Sequence, residues 1–280
     1  MQKDLKKYAV VFLGPTLICF ALAFLLPFAM GIYLSFTRFT TVTNAVWTGW
    51  SNYSLVFRDP DFLNALWFTL RFTVVSVLTV NLFAFGLALL LTRGLRGTNL
   101  FRAVFFMPNL IGGIVLGYIW NLIINGILYF WGVDITYSAS YGFWGLVVLM
   151  NWQMIGYMMV VYIAGLQNIP MELIEAAQLD GATPWQQLRQ VTIPMVMPSI
   201  TICLFLTLTN SFKLFDQNLA LTGGAPARST SMLALDIYET FYGRTGWQGV
   251  GQAKAVIFFI LVALIALVQL ALSRRKETEG

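Results

Sequence analysis

The sequence predicts an all-α integral membrane protein with six transmembrane helices. Apolar residues make up 58% of the chain and charged residues only 10%, whereas soluble domains have about 25% charged residues. The mean hydropathy of +0.74 agrees with this composition. A spanning helix needs about 20 mainly apolar residues. Six stretches meet that condition, namely residues 8–35, 65–92, 102–126, 142–166, 193–217 and 252–273.

Prolines and glycines interrupt two of the six stretches. Pro108 and Gly112-Gly113 lie in the third stretch, and Pro194 and Pro198 lie in the fifth. Such breaks are tolerated where neighbouring helices or waters satisfy the freed backbone groups. The first stretch is too long for a signal peptide, so we expect it to stay uncleaved as a span. No repeat or low-complexity linker is visible, and residues 1–280 are expected to form one domain.

Basic residues predict that both termini lie in the cytoplasm, because basic residues concentrate in cytoplasmic loops. This orientation puts ten basic residues inside, which are Lys3, Lys6, Lys7, Arg93, Arg96, Arg102, Arg189, Arg274, Arg275 and Lys276. It puts five outside, which are Arg38, Arg58, Arg228, Arg244 and Lys254. The net charge of +5 is spread over ends and loops, so it does not indicate a nucleic-acid surface.

The two longer external segments differ in composition. Residues 37–64 contain several aromatic residues and are expected to form a small cap with an interfacial aromatic belt. Residues 218–251 include the glycine-rich run Leu221–Pro226, which favours a turn or a re-entrant loop. Within the same segment, Leu233 to Phe241 is expected to form a short interfacial helix.

The loop at residues 167–192, between the fourth and fifth spans, predicts two short helices. Pro170 suits a first helical position, Met171–Leu179 contains good helix formers, and Gly181 is a natural stop. Thr183–Gln186 then has the capping-box pattern of a new helix start, with proline at its first position. A rigid helix pair in a cytoplasmic loop is expected to bind a soluble partner.

Charged residues near the spans are few. Lys213 and Asp216 are three residues apart in the fifth span, so one helix face could hold them as an ion pair. They would either line a solute cavity or form a structural pair at the membrane boundary. Arg71 lies near the outer end of the second span and is expected to extend its guanidinium to the membrane surface.

Neutral polar side chains cluster on the fourth and fifth spans. Hydroxyls and amides suit hydrogen bonding to an uncharged polyhydroxylated solute, although they also form hydrogen bonds between helices in membrane bundles. The candidates for lining a solute cavity are Asn151, Gln153, Tyr157, Thr207, Asn210 and Ser211. In the third span, Gly113–Gly117 is a GxxxG motif that predicts close helix packing.

Several kinds of chemistry find no support in the sequence. The chain has no histidine, and its two cysteines, Cys19 and Cys203, both lie in apolar spans, so a metal site or disulfide framework is not expected. A phosphate-binding GxxxxGK[ST] loop is absent, so ATP would have to bind another chain. No set of titratable groups indicates a membrane-embedded enzyme.

The loop between the fourth and fifth spans carries a family resemblance. Glu175–Ala182 reads EAAQLDGA and is followed by Ile193-Pro194 and Pro198. This pattern resembles the EAA motif of membrane permeases of binding-protein-dependent ABC importers. Phe215-Asp216 and the later Leu221–Gly224 are similar to the carbohydrate branch of that family, whose permeases carry maltose, multiple sugars or glycerol-3-phosphate. The resemblance extends over about residues 8–275.

The resemblance implies an ABC type I importer permease (MetI-like) fold with a cytoplasmic coupling helix. Its ATPase-coupling residues would be Glu175, Ala176, Ala177, Asp180, Gly181 and Ala182. The implied partners are a second homologous permease, two copies of a cytoplasmic ABC ATPase that uses ATP and Mg²⁺, and an extracytoplasmic solute-binding protein. The implied location is a prokaryotic plasma or inner membrane, and the solute would be a sugar or oligosaccharide.

Two alternatives stay open at this point. The solute could be anionic, such as glycerol-3-phosphate or an acidic oligosaccharide, because Lys213 could contact it. The chain could instead be an ATP-independent secondary transporter, although neither inverted repeats nor acidic groups deep in the spans are visible.

Overall fold

A computed structural model describes residues 13–94 and 96–278 of the chain. Its helices, in chain order, are α1 (Leu13–Ser35), α2 (Ser51–Arg58), α3 (Pro60–Leu91), α4 (Thr98–Phe106), α5 (Gly113–Leu128), α6 (Ala139–Gln167), α7 (Met171–Leu179), α8 (Pro184–Met195), α9 (Met197–Phe212), α10 (Asp216–Leu221), α11 (Leu233–Gly243) and α12 (Gln248–Thr278). Two short strands, β1 (Thr37–Arg38) and β2 (Val46–Trp47), pair antiparallel.

The described part of the chain contains five single helices that are long and apolar enough to cross a membrane. They are α1, α3, α5, α6 and the Gln248–Gln269 part of α12. The helices α8 and α9 bend by 71° at their junction and would form a sixth span if they cross together. The all-α membrane fold is therefore confirmed. Residues 8–12 of the predicted first span lie outside the described residues.

Both predicted interruptions coincide with breaks in the helices. The third stretch divides into α4 and α5, separated by a 3₁₀ turn at Met107–Leu110 that contains Pro108. The fifth divides at Val196, between the two prolines, where α8 ends and α9 begins. Proline lacks the N–H that a continuous helix needs and clashes with the preceding turn, which explains both positions.

The chain folds as two compact units. Of the described residues, the first unit contains 13–62 and Ile237–Ile260. In this unit β1, β2 and α2 form a small cap, as predicted. The cap is fixed by Asn52, whose side-chain amide donates to the carbonyl oxygens of Ser35 and Thr37, each at 2.8 Å. Leu233–Gly243 forms the predicted short helix at the entry to this unit, where it extends two residues past Phe241.

A buried charge cluster also lies in the first unit. The Lys254 ammonium is fully buried and donates to Asp59 Oδ2 and to Thr240 Oγ1, each at 2.8 Å. Arg244 contacts the same Asp59 carboxylate at 3.6 Å and also pairs with Asp61. Lys254 was predicted only to lie on the outer side, within the sixth span. Its burial and its ion pair with Asp59 were not predicted, because α12 begins at Gln248 and places Lys254 among buried groups.

The second unit contains residues Leu63–Asp236 and, from Leu261 on, the later part of α12. Its core is built mainly from α3 and α6, with fully buried Phe72, Leu149 and Met158 among its members. Helix α6 approaches α4 so closely at Gly156 that an added Cβ would stand 1.8 Å from the Phe105 carbonyl oxygen. This contact requires glycine at position 156, because any side chain would separate the two helices.

Candidate functional site

The first helix of the loop between α6 and α9 forms as predicted, over Met171–Leu179. Its end is a Schellman motif, in which Ala182 N–H donates to Ala177 O at 2.9 Å and Gly181 N–H donates to Gln178 O at 3.0 Å. Gly181 has a φ of +76°, which favours glycine at this position. The motif satisfies carbonyl groups that would otherwise be unpaired at the helix end.

Pro170 precedes this helix as its N-cap rather than its first helical residue. Its ψ of 131° is extended, although its φ of −59° is compatible with a helix. The predicted position is therefore wrong by one residue. The Pro170 carbonyl accepts the first hydrogen bond of the helix, from Leu173 N–H at 3.2 Å. The missing proline N–H breaks no helical hydrogen bond, because N–H groups at a helix start have no acceptor within the helix.

The second helix of the loop has the capping box that its sequence predicts. Thr183 Oγ1 accepts from Gln186 N–H at 3.4 Å, and Thr183 N–H donates to Gln186 Oε1 at 2.8 Å. Pro184 occupies the first helical position. The helix continues through a π-helical turn at Leu188–Thr192 to Met195, so it runs directly into the bent fifth span.

The outer face of α7 is exposed and mixes apolar with acidic groups. Leu179 is 88% exposed and Met171 is 67% exposed. Glu175 and Asp180 are also exposed, and neither side chain makes a hydrogen bond or ion pair within residues 13–94 and 96–278. Of the remaining candidate residues, Ala176 and Gly181 are exposed, whereas Ala177 and Ala182 are half-buried. Exposed apolar side chains beside unpaired charges are typical of a surface that binds another protein.

The three polar candidates on α6 divide between two faces of the helix, because Gln153 and Tyr157 are four residues apart and share a face whereas Asn151 does not. Residues two apart on a helix are separated by about 200°, so Asn151 and Gln153 point in nearly opposite directions. Asn151 donates to Thr79 Oγ1 on α3 at 2.9 Å. Gln153 is buried and accepts from Gln217 Nε2 on α10 at 2.8 Å. Tyr157 is half-buried, and its ring lies 6.3 Å from that of Phe106.

The hydroxyl candidates on α9 are buried and satisfied within the chain. Thr207 donates to the carbonyl of Cys203 at 2.7 Å, and Ser211 donates to that of Thr207 at 2.8 Å. Asn210 lies on the exposed side, although its amide nitrogen donates to Leu206 O at 2.8 Å. Among these groups, the exposed Asn210 keeps its side-chain oxygen and its second amide N–H available within the described residues.

A buried polar chain connects α9 with α3 and α6, and two of its members, Asn81 and Tyr162, were not predicted from the sequence. Asn81 Nδ2 donates to Thr207 Oγ1 at 3.3 Å, and Asn81 Oδ1 accepts from Tyr162 Oη at 2.8 Å. A lone amide inside a strongly apolar span was the available signal, because polar groups in spans normally have partners on neighbouring helices.

Lys213 and Asp216 do not share a helix face, so the predicted geometry of an ion pair on one helix is wrong. Helix α9 ends at Phe212, Lys213 is its C-cap, and Asp216 is the first residue of α10. Both side chains are exposed. Within the described residues Lys213 makes no ion pair. The chain turns between the two residues because α10 packs against α5 instead of continuing α9.

The partner of α10 is the GxxxG motif of α5. An added Cβ at Gly113 would stand 2.7 Å from Asp216 Cβ, and one at Gly117 would stand 2.6 Å from Ala220 Cβ. Asn121, one turn further along α5, donates to Leu221 O at 2.7 Å. The predicted close packing of this motif is confirmed, and it explains why the chain leaves the α9 direction after Phe212.

Comparisons with known proteins agree with the all-α membrane fold. Residues 81–278 match the family described as binding-protein-dependent transport system inner membrane component. The chain belongs to this family. It is a multi-pass membrane protein and the permease subunit of an ABC importer, and it is not an enzyme. Family membership does not support the ATP-independent alternative.

Individual relatives match nearly the whole chain. It is 43% identical to the probable starch degradation products transport system permease protein AmyD of Thermoanaerobacterium thermosulfurigenes, over 96% of this chain and 94% of the relative. It is 30% identical to the multiple sugar-binding transport system permease protein MsmF of Streptococcus mutans, over 99% of each chain. The fold is similar, with a TM-score of 0.80 and 21% identity, to a chain of a bacterial alginate ABC transporter in complex with an alginate pentasaccharide-bound periplasmic protein, over 99% of this chain and 98% of that one.

Proposed function

We propose that this permease imports a sugar or oligosaccharide delivered by an extracytoplasmic binding protein. The observation that carries the coupling part of the proposal is the exposed helix α7, held rigidly between two apolar spans. Import would be driven by two copies of a cytoplasmic ATPase, which use ATP and Mg²⁺ on a separate chain. We also propose a prokaryotic plasma or inner membrane, both termini in the cytoplasm, and a single permease domain over residues 1–280.

Helix α7 has the surface that such an ATPase could bind. The apolar side chains of Met171 and Leu179 are largely exposed, and burying them would favour association. Glu175 and Asp180 could accept hydrogen bonds from basic or backbone donors of the ATPase. The small exposed Ala176 allows close approach. The Schellman motif at its C-terminal end holds the helix against the next turn, so movement of the ATPase would be transmitted to α6 and to α9.

A carbohydrate is the solute class that the relatives favour. The names of two relatives refer to starch degradation products and to multiple sugars. Such solutes need many neutral hydrogen-bonding groups, and the candidate residues on α6 and α9 are of that type. A second, homologous permease would complete the translocation pathway. Residues with polar groups still available, namely Asn210, Lys213 and Asp216, are the better candidates for direct contact with the solute.

An anionic carbohydrate is a second candidate, and Lys213 favours it. The Lys213 ammonium is exposed and has no carboxylate partner within the described residues. An unpaired cation at the end of a polar helix face would attract a carboxylate or phosphate group of the solute. This candidate differs from the first only in solute charge.

The coupling role of α7 is tested in proteoliposomes that contain the permease pair, the ATPase and the binding protein. We expect deletion of Glu175–Asp180, or Gly181→Val, to abolish sugar uptake and solute-stimulated ATP hydrolysis, while the permease stays in the membrane. Gly181→Asn is the matched control, because asparagine tolerates a positive φ whereas a β-branched residue does not. Normal solute-stimulated hydrolysis in the deletion variant would disprove coupling through α7.

A further inference from the structure

A groove with a volume of about 520 Å³ lies in the second unit, beside α3 and the start of α6. Its walls are largely apolar, with Leu70, Val74 and Phe143 among them. Of the described residues, Arg71 is the only charged one that lines it, and Ser140 and Ser229 add hydroxyls. The groove is therefore apolar along its walls and positively charged at one point.

Two polar groups of the groove, on Arg71 and Ser140, are available for a ligand, whereas the Ser229 hydroxyl already donates to Pro226 O at 2.6 Å. The Arg71 guanidinium lies over the Trp67 ring, 5.4 Å from its centroid. Within residues 13–94 and 96–278, Arg71 makes no hydrogen bond or ion pair, and the Ser140 hydroxyl makes no hydrogen bond. No carboxylate of the described residues lines the groove. An unpaired cation between apolar walls is complementary to an anionic group attached to an apolar chain.

The position of Arg71 along α3 identifies the source of such a ligand. Helix α3 ends at Leu91, and twenty residues at 1.5 Å each put Arg71 about 30 Å from that end. This distance equals the thickness of the hydrocarbon core, which is about 30 Å. Trp67, one turn earlier, is 59% exposed, and tryptophan is enriched at the membrane–water interface. Arg71 is therefore at the level of the lipid headgroups.

We propose that this groove binds an anionic glycerophospholipid. Its phosphate contacts Arg71 and Ser140, and one acyl chain lies along Leu70 and Val74. The lipid supplies the counter-charge that Arg71 lacks within the described chain. It also covers the apolar wall between α3 and α6. The site does not depend on the transported solute.

The test measures lipid retained by the purified complex with native mass spectrometry, after partial removal of lipid. Phosphatidylglycerol and phosphatidylcholine are supplied in equal amounts. We expect wild type to retain phosphatidylglycerol about five-fold better, which corresponds to about 1 kcal/mol for one basic residue beside anionic lipid. Arg71→Gln should lose this preference, and Arg71→Lys should keep part of it. Arg58→Gln is the matched control, because Arg58 is also exposed but lies outside the groove.

Three results would overturn the assignment. Equal retention of both lipids by the wild-type complex would overturn the lipid site. This measurement needs no variant, so it decides the question even if Arg71→Gln fails to assemble. Unchanged preference in an assembled Arg71→Gln complex would remove Arg71 from the site. Displacement of phosphatidylglycerol by an equal concentration of glycerol 1-phosphate would show that a soluble phosphate, and not a lipid, is the ligand.

Discussion

Replacing Lys254 with methionine should destabilise the protein by about 3 kcal/mol. Methionine has a similar length but no charge, so the change removes the ammonium and keeps most of the packing. The Asp59 carboxylate, with its side chain 5% exposed, then loses its 2.8 Å partner. Removing one member of a buried ion pair costs about 3–5 kcal/mol, because the other charge is left without compensation.

The lower end of that range applies here because Asp59 has a second cation nearby. Arg244 Nη1 lies 3.6 Å from the same carboxylate oxygen, but the Arg244 side chain is 28% exposed and also pairs with Asp61. Arg244 can therefore offset only part of the lost interaction. A change of about 3 kcal/mol corresponds to a fall in Tm of about 6–12 °C for a chain of this size.

Thermal unfolding of the purified protein, followed by tryptophan fluorescence, measures this change. Lys213→Met is the matched control and should alter stability by less than about 0.5 kcal/mol, because Lys213 is exposed. The double variant Lys254→Met/Asp59→Asn removes both charges together. It should be less destabilised than the sum of the two single variants by about 2 kcal/mol. Strictly additive losses would refute the buried ion pair as the cause.

Three further changes test other contacts. Gly156→Ala should prevent stable packing of α4 on α6, because the Cβ would overlap a backbone carbonyl. Gly126→Ala is the control, because Gly126 has open space around it, and this variant should fold normally in the same expression and Tm assays. Asn81→Leu should lower stability by about 1–3 kcal/mol by leaving a buried tyrosine hydroxyl unpaired; an unchanged Tm would argue against the polar chain. Lys213→Ala should reduce uptake of an anionic sugar more than that of a neutral one, and equal uptake of both would remove Lys213 from the solute path.

The features that the sequence predicted well depend on local chemistry. The Thr183 capping box and the Gly181 helix stop each involve residues within five positions of one another, so the amino-acid pattern nearly determines the structure. The same holds for the breaks at Pro108 and Val196, where proline prevents a continuous helix. Pro170 was misplaced by one residue because its φ suits both the N-cap and the first helical position.

The features that were missed depend on contacts between distant parts of the chain. Lys254 and Asp59 are 195 residues apart, and Asn81 and Thr207 are 126 apart. No local pattern shows that such residues will meet. Lys213 was misplaced for a related reason, since the end of α9 is determined by the packing of α10 on α5 rather than by a proline or glycine at the turn.

The same distinction explains why the exposed surface of α7 can be predicted from the sequence more readily than the polar groups that are available to a solute. Helix α7 is short, capped at its C-terminal end and exposed, so its amino-acid pattern describes its surface directly. On α9, by contrast, Thr207 and Ser211 satisfy their hydroxyls by donating to carbonyl groups four residues earlier, an ordinary arrangement for such residues in a helix. Composition alone cannot separate these groups from Asn210, which is exposed. Exposure in the folded chain, rather than residue type, therefore decides which polar groups can reach a solute.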